Sequence, residues 1–169
     1  QYVQATRVLG EHGIGVRVAA PGEEGVVGAV RYRVLWPSRL IRGDGSAPNN
    51  ASVAMTVEVG DPATTILLTG DLEPSAQQAV LAGGVRGDVD IVKVPHHGSR
   101  NQSASFATSF PAQLAIFSVG ADNTYGHPAP ATIDQWQAVG AQIARTDQLG
   151  DDAVGRSQSQ TLFFVGRGS

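Results

Sequence analysis

Three short polar clusters carry the residues of this chain that are able to do hydrolytic chemistry: Thr69-Gly70-Asp71, Pro95-His96-His97-Gly98-Ser99 and Asn123-Thr124-Tyr125-Gly126-His127-Pro128. Three of the 4 histidines fall in the last two. Each cluster follows an apolar run, which is where open α/β sheets place their sites. Asp71 comes after Ile66-Leu67-Leu68, and Gly70 lets the chain turn sharply so that the carboxylate crosses the strand end. There it could ligate a metal, bridge two, or simply cap the helix that follows.

His96 and His97 are neighbours, so their side chains point in different directions and one of them can ligate a given ion. The other is left to bind a second ion, donate to substrate or carry a proton. Pro95 has no amide hydrogen and ends strand pairing just before the pair. Gly98-Ser99 makes a tight turn, and Ser99 or a residue near it could cap the next helix while free amides face an anion. His127 lies between Gly126 and Pro128, with Asn123 and Tyr125 as neutral hydrogen-bonding groups, a setting that suits phosphate oxygens or developing charge. Lys93 and Arg100 flank the histidine pair and either neutralise a phosphate or sit solvated. His12 reads as surface, Asn49-Asn50 as a turn, and Trp36 and Trp136 as packing rather than a base-stacking platform.

The elements that must position these clusters alternate along the chain. Residues 1 to 9 look helical and stop at Gly10; Gly15 to Ala20 alternates like a strand; Pro21 to Gly28 is a turn; Val30 to Trp36 is a strand ended by Pro37. Ser38 to Asn50 reads as a loop. Ser52 to Val59 and Thr64 to Leu68 pair as a hairpin across Gly60-Asp61-Pro62-Ala63. Strands then follow at Val89 to Val94, Leu114 to Val119 and Gln142 to Arg145. Helices follow at Pro74 to Leu81, Ser103 to Phe110 and Pro130 to Val139. Asp151 to Gln160 is a polar connection to a last strand, Thr161 to Val165. Such alternation with an antiparallel pair inside predicts a layered α/β domain.

The 169 residues fit one domain, and 41% hydrophobic with 16% charged residues excludes a disordered polar chain. No apolar run is long enough to span a membrane. Without Cys there is no disulfide, thiolate nucleophile or Cys-type zinc site, so any metal falls to His and carboxylate. A net charge of -3 argues against wholesale adsorption to nucleic acid, leaving a local patch for any such contact. A P-loop, a Gly-x-Gly-x-x-Gly turn and a Gly-x-Ser-x-Gly elbow are absent, which removes the commonest nucleotide-binding and serine-hydrolase readings. The start, Gln1-Tyr2-Val3-Gln4, shows no signal peptide and no initiator Met, and suggests a piece of a longer chain.

Taken together, Asn49-Asn50-Ala51-Ser52-Val53, Leu67 to Glu73, Lys93 to Ser99, Ser118-Val119-Gly120, Asn123-x-Tyr125-Gly126-His127-Pro128 and Arg145-Thr146-Asp147 resemble, in order, the metallo-β-lactamase-like domain at the C-terminus of ComEC-type DNA-uptake proteins. The resemblance covers about Gly15 to Asp147. It implies an αββα sandwich with a divalent metal site, Zn or Mn, of two ions when intact. The parent would be a cell-membrane channel protein taking in transforming DNA, and the domain a nuclease acting on single-stranded DNA. Carried over residue by residue, Asp71 matches a metal ligand and one of His96 and His97 another. His97 and His127 become catalytic candidates, and Lys93, Ser99, Asn123 and Tyr125 substrate-binding ones.

The upstream His-x-[His/Asp]-x-Asp-His run that supplies most ligands in that superfamily is missing, so the chain reads as a domain truncated at its N-terminus. By itself it should bind metal weakly and cleave little. A non-catalytic scaffold in the uptake machinery, or a phosphoesterase acting on another ester such as a phosphocholine, are the alternatives.

Overall fold

A computed structural model describes residues 2–43, 45–157 and 162–167. Seven strands form one mixed sheet in the order of the chain: β1 (Glu24–Val27), β2 (Val30–Trp36), β3 (Ala54–Val59), β4 (Thr64–Leu68), β5 (Val89–Lys93), β6 (Ala112–Phe117) and β7 (Gln142–Arg145). β1 to β4 pair antiparallel, and β4 to β7 pair parallel. The parallel half is crossed by helices α3 (Pro74–Ala82), α4 (Ala104–Ser109) and α5 (Pro130–Ala138). The remaining elements are α1 (Tyr2–Glu11), the short α2 (Ala47–Asn50) and α6 (Thr146–Leu149), and a separate hairpin of β8 (Asp151–Arg156) and β9 (Leu162–Arg167).

Period-two alternation gives the sheet two apolar faces. Leu67, Val92 and Ala115 join Leu72, Val80, Phe106, Phe110 and Trp136 in the helix-side core. Ile91, Leu114 and Ala144 point the other way, with Ile66, Ile116, Val154 and Leu162 packed on them. An ion pair from Arg156 to Asp90 (2.9 Å) and a bond from Arg156 Nε to Thr64 Oγ1 (3.1 Å) fasten β8 to the sheet.

The hairpin of β3 and β4, the three crossing helices and β7 stand where the sequence places them, to within a few residues. Four expectations need correction. Gly15 to Ala20 forms no strand: no neighbour pairs with it, and Val16 and Val18 are 46% and 83% exposed, so alternation alone does not satisfy the backbone. Within the expected turn Pro21 to Gly28, Glu24–Val27 is an edge strand paired to β2; its exposed side chains follow no buried pattern that would mark it. The loop Ser38 to Asn50 closes in α2. Asp151 to Arg156 is a strand, because it pairs antiparallel with β9 and Val154 packs onto the sheet. Residues 158–161 lie outside the described residues, as does Gln1. The α/β class holds; the second β layer among the described residues is the hairpin of β8 and β9.

Candidate functional site

Because β4, β5, β6 and β7 run parallel, their C-terminal ends share one sheet edge, and antiparallel β3 brings its N-terminal end there too. The loops after β4, β5 and β6 are the three polar clusters, so the topology collects them in one place. Asp71 does not cap α3. The residue at the N-cap of α3 is Glu73, and Asp71 directs its carboxylate elsewhere, with Oδ1 3.4 Å from His97 Nε2 and 3.8 Å from Lys93 Nζ. Gly70 makes this turn at φ 54°, where a Cβ would lie 2.5 Å from the Ser52 Cβ. The Ser52 hydroxyl oxygen accepts from the Asp71 amide at 3.0 Å.

His96 (φ 48°) and His97 (φ 55°) both take the left-handed conformation, alone in this among the described non-glycine residues. Each such residue costs roughly 1–2 kcal/mol, and strain of this kind persists where surrounding structure enforces it, often at functional sites. The turn is pinned by the His96 amide on the Gly70 carbonyl (3.1 Å) and the Ser99 amide on the His96 carbonyl (2.9 Å). Strain can be separated from side-chain loss. Both His97→Ala and His97→Gly delete the imidazole, so we expect the glycine variant to be the more stable by about 1–2 kcal/mol in urea unfolding. Equal stabilities would show that the backbone is relaxed.

The two imidazoles diverge, as neighbours in a tight turn must. His97 Nδ1 meets the Ser118 carbonyl at 2.6 Å. A carbonyl only accepts, so that nitrogen carries the hydrogen, and Nε2 faces Asp71 with a lone pair unless a proton or a cation lies between them. His96 turns to the other side: Nε2 is 3.4 Å from the Asn49 side-chain nitrogen, and Nδ1 is buried without a hydrogen-bond partner, 3.9 Å from Glu73 Oε1. His127 lies against His96, ring centroids 5.5 Å apart. Burial, and then the neighbouring His96 and His97, push the His127 pKa below its ordinary value, with Asp71 opposing. Burial likewise lowers Lys93, against the pull of Asp71, while its ammonium donates to the Gly70 carbonyl at 2.9 Å.

Two of the residues expected to contact substrate, Asn123 and Ser99, also make bonds within their own loops. Asn123 receives the Tyr125 amide on Oδ1 (2.7 Å) and donates to the His127 carbonyl (3.1 Å), so its amide braces its own loop. Ser99 is buried; its hydroxyl oxygen accepts from the Asn101 amide (3.2 Å), and the residue at the N-cap of α4 is Ser103. Arg100 is exposed, His12 is exposed as expected, and both tryptophans are buried. Glu73, to which the sequence reading assigns no role, accepts from the Ser46 amide (2.9 Å) and from the Asn49 (3.3 Å) and Asn50 (3.4 Å) side chains, fixing α2 beside His96. Its signal was a carboxylate directly before Pro74, a cap position it leaves unused.

Asp71 and His97 are spaced to be neighbours around one ion, but a zinc-type centre uses three or more protein ligands. Among the described residues no group of three ligating side chains occurs, and the Lys93 ammonium already flanks Asp71. The residues present do not make a metal centre by themselves.

The fold and the site define a mixed α/β domain with a carboxylate, imidazoles and an ammonium gathered at the ends of parallel strands. No protein-family model matches the chain. It is 30% identical over 149 residues to ComE operon protein 3 of Bacillus subtilis, a match covering 88% of this chain and 18% of that protein. It is 29% identical to the uncharacterized protein YcaI of Escherichia coli (74% of this chain, 16% of that one). It is 25% identical to Recombination protein 2 of Haemophilus influenzae (74% and 15%). These similarities support a relation to the ComEC-type competence proteins. The chain spans less than a fifth of the length of these curated relatives. Among the described residues no helix is long and apolar enough to cross a membrane.

Proposed function

We propose that the chain is the phosphate-facing part of a metal-dependent phosphodiesterase domain, of metallo-β-lactamase-like architecture, in a membrane-bound DNA-uptake protein. The observation that carries this is His97 Nε2 facing Asp71 Oδ1 at 3.4 Å, beside Lys93 and His127 at the ends of parallel strands. Asp71 and His97 would contribute part of a ligand set for Zn or Mn, the rest coming from residues outside these 169; His96 is turned toward Asn49 and Glu73 instead. A bound ion would supply Lewis acidity. Lys93 would offset phosphate charge, and His127, whose pKa burial and its imidazole neighbours lower, would hydrogen-bond a phosphate oxygen. An apolar cleft of about 290 Å3 between the sheet and the hairpin, lined by Ile66, Ile91, Ile116 and Leu162, supports a fuller second β layer on that face.

One observation favours a second reading, a non-catalytic nucleic-acid-binding element: Lys93 stands 3.8 Å from Asp71, where it competes with a cation. Calorimetric titration with Mn2+ or Zn2+ tests both. We expect weak binding to the 169 residues, lost in Asp71→Asn and in His97→Gln, and strong metal-dependent cleavage of single-stranded DNA only by a parent-length protein. Steady cleavage by the 169 residues would refute the shared ligand set. A parent-length protein that binds DNA and never cleaves it would establish the second reading.

A further inference from the structure

Beside His97 the sheet edge opens into a groove of about 710 Å3 lined by Ser118 to Tyr125 and His127. Tyr125 stands over it, 85% exposed. An aromatic ring left this open gives up a large apolar burial, and here the loop that carries the ring is pinned. The ring stacks on His127 with an interplanar angle of 22° and centroids 6.2 Å apart, and Asn123 anchors both ends of the Tyr125 to His127 loop. His127 in turn abuts His96, and His97, which faces Asp71, lines the same groove as Tyr125. The charge pattern separates the two ends of any occupant. Lys93 lies at the Asp71 end, whereas the groove wall contains the carboxylate of Asp122 and neither Lys nor Arg. Away from His97 and His127 the groove offers a phosphate no cation, and a flat, uncharged ring needs none.

From this geometry we propose that Tyr125, backed by His127, is the stacking platform for an unpaired nucleobase adjoining the phosphate at the Asp71 edge. The ligand is single-stranded DNA, since a base within a duplex has both faces covered. The inference rests on the phosphodiester reading above and names which part of the strand the groove takes. The two tryptophans are buried, in keeping with their reading as packing residues, and leave the stacking role to a tyrosine.

The test is fluorescence of a short single-stranded oligonucleotide containing 2-aminopurine, titrated with the 169-residue chain without added metal. We expect quenching on binding, retained in Tyr125→Phe. Tyr125→Ala should lose the quench and bind about tenfold more weakly, since stacking on an aromatic side chain is worth roughly 1–3 kcal/mol per base. An abasic oligonucleotide should bind the unmodified chain as weakly as the natural one binds Tyr125→Ala. Because the ring is exposed, circular dichroism of Tyr125→Ala should be unchanged. Undiminished binding and quenching by Tyr125→Ala would overturn the platform and leave the phosphodiester reading standing. An unmodified chain that binds no oligonucleotide would also overturn the platform, whereas the phosphodiester reading falls only if the parent-length protein does not cleave.

Discussion

Gly98→Ala is expected to destabilise the protein by about 2–5 kcal/mol, a large part of the roughly 5–15 kcal/mol that holds a domain folded. Two costs add. Gly98 sits at φ 77°, where a side chain is penalised by about 1–2 kcal/mol. Its new Cβ would also lie 2.5 Å from the Phe117 ring and 2.8 Å from the Pro128 Cβ. Phe117 is fully buried and cannot swing aside, so the second cost is that of overpacking, about 1–3 kcal/mol. Relief would come only by backbone movement, and the Gly98 carbonyl is bound by the Ala129 amide at 2.8 Å, just beyond His127-Pro128. The variant should therefore unfold at lower urea and also separate His97 from His127. Equilibrium unfolding with the histidine ring signals followed by NMR checks both, and a loss below about 1 kcal/mol would mean that the turn has room to adjust.

The clustering of Asp71, His96, His97 and His127 was legible because each follows an apolar strand, and parallel strands bring their C-terminal ends to one edge. What the sequence could not carry was direction. Spacing leaves open which neighbouring histidine meets Asp71; two successive left-handed residues decide it, sending His97 to Asp71 and His96 to Glu73 and Asn49. Asn123 and Ser99 look the same on paper whether they meet a ligand or brace a loop. In the structure each makes a bond within its own loop, which spacing does not reveal. Edge elements failed for a related reason. Glu24–Val27 pairs on one side only and buries little, so no periodicity betrays it, while Gly15 to Ala20 has the alternation and lacks a partner strand.

Trp36→Ala is expected to cost more than any single change at the site itself. Trp36 is fully buried in the helix-side core, and truncating such a residue removes about 3–5 kcal/mol. Its indole nitrogen also donates to the Asn50 carbonyl at 2.6 Å. Asn50 is itself buried, and its side-chain oxygen accepts the Glu73 amide at 3.0 Å. The bond therefore joins the core to the α2 turn that stands beside His96, and an orphaned carbonyl there adds about 1–3 kcal/mol. Trp36→Phe separates the two effects, since it keeps most of the apolar contact and loses only the donor. Thermal unfolding should show Trp36→Ala far below the unmodified chain and Trp36→Phe about 1–3 kcal/mol below it. If the indole bond holds the turn, Trp36→Phe should also shift the His96 ring resonances while leaving those of His97 in place, because His97 is held from the other side by the Ser118 carbonyl. Equal shifts at both histidines would mean that the strained turn responds as one body, and that Asn50 transmits nothing specific from the core.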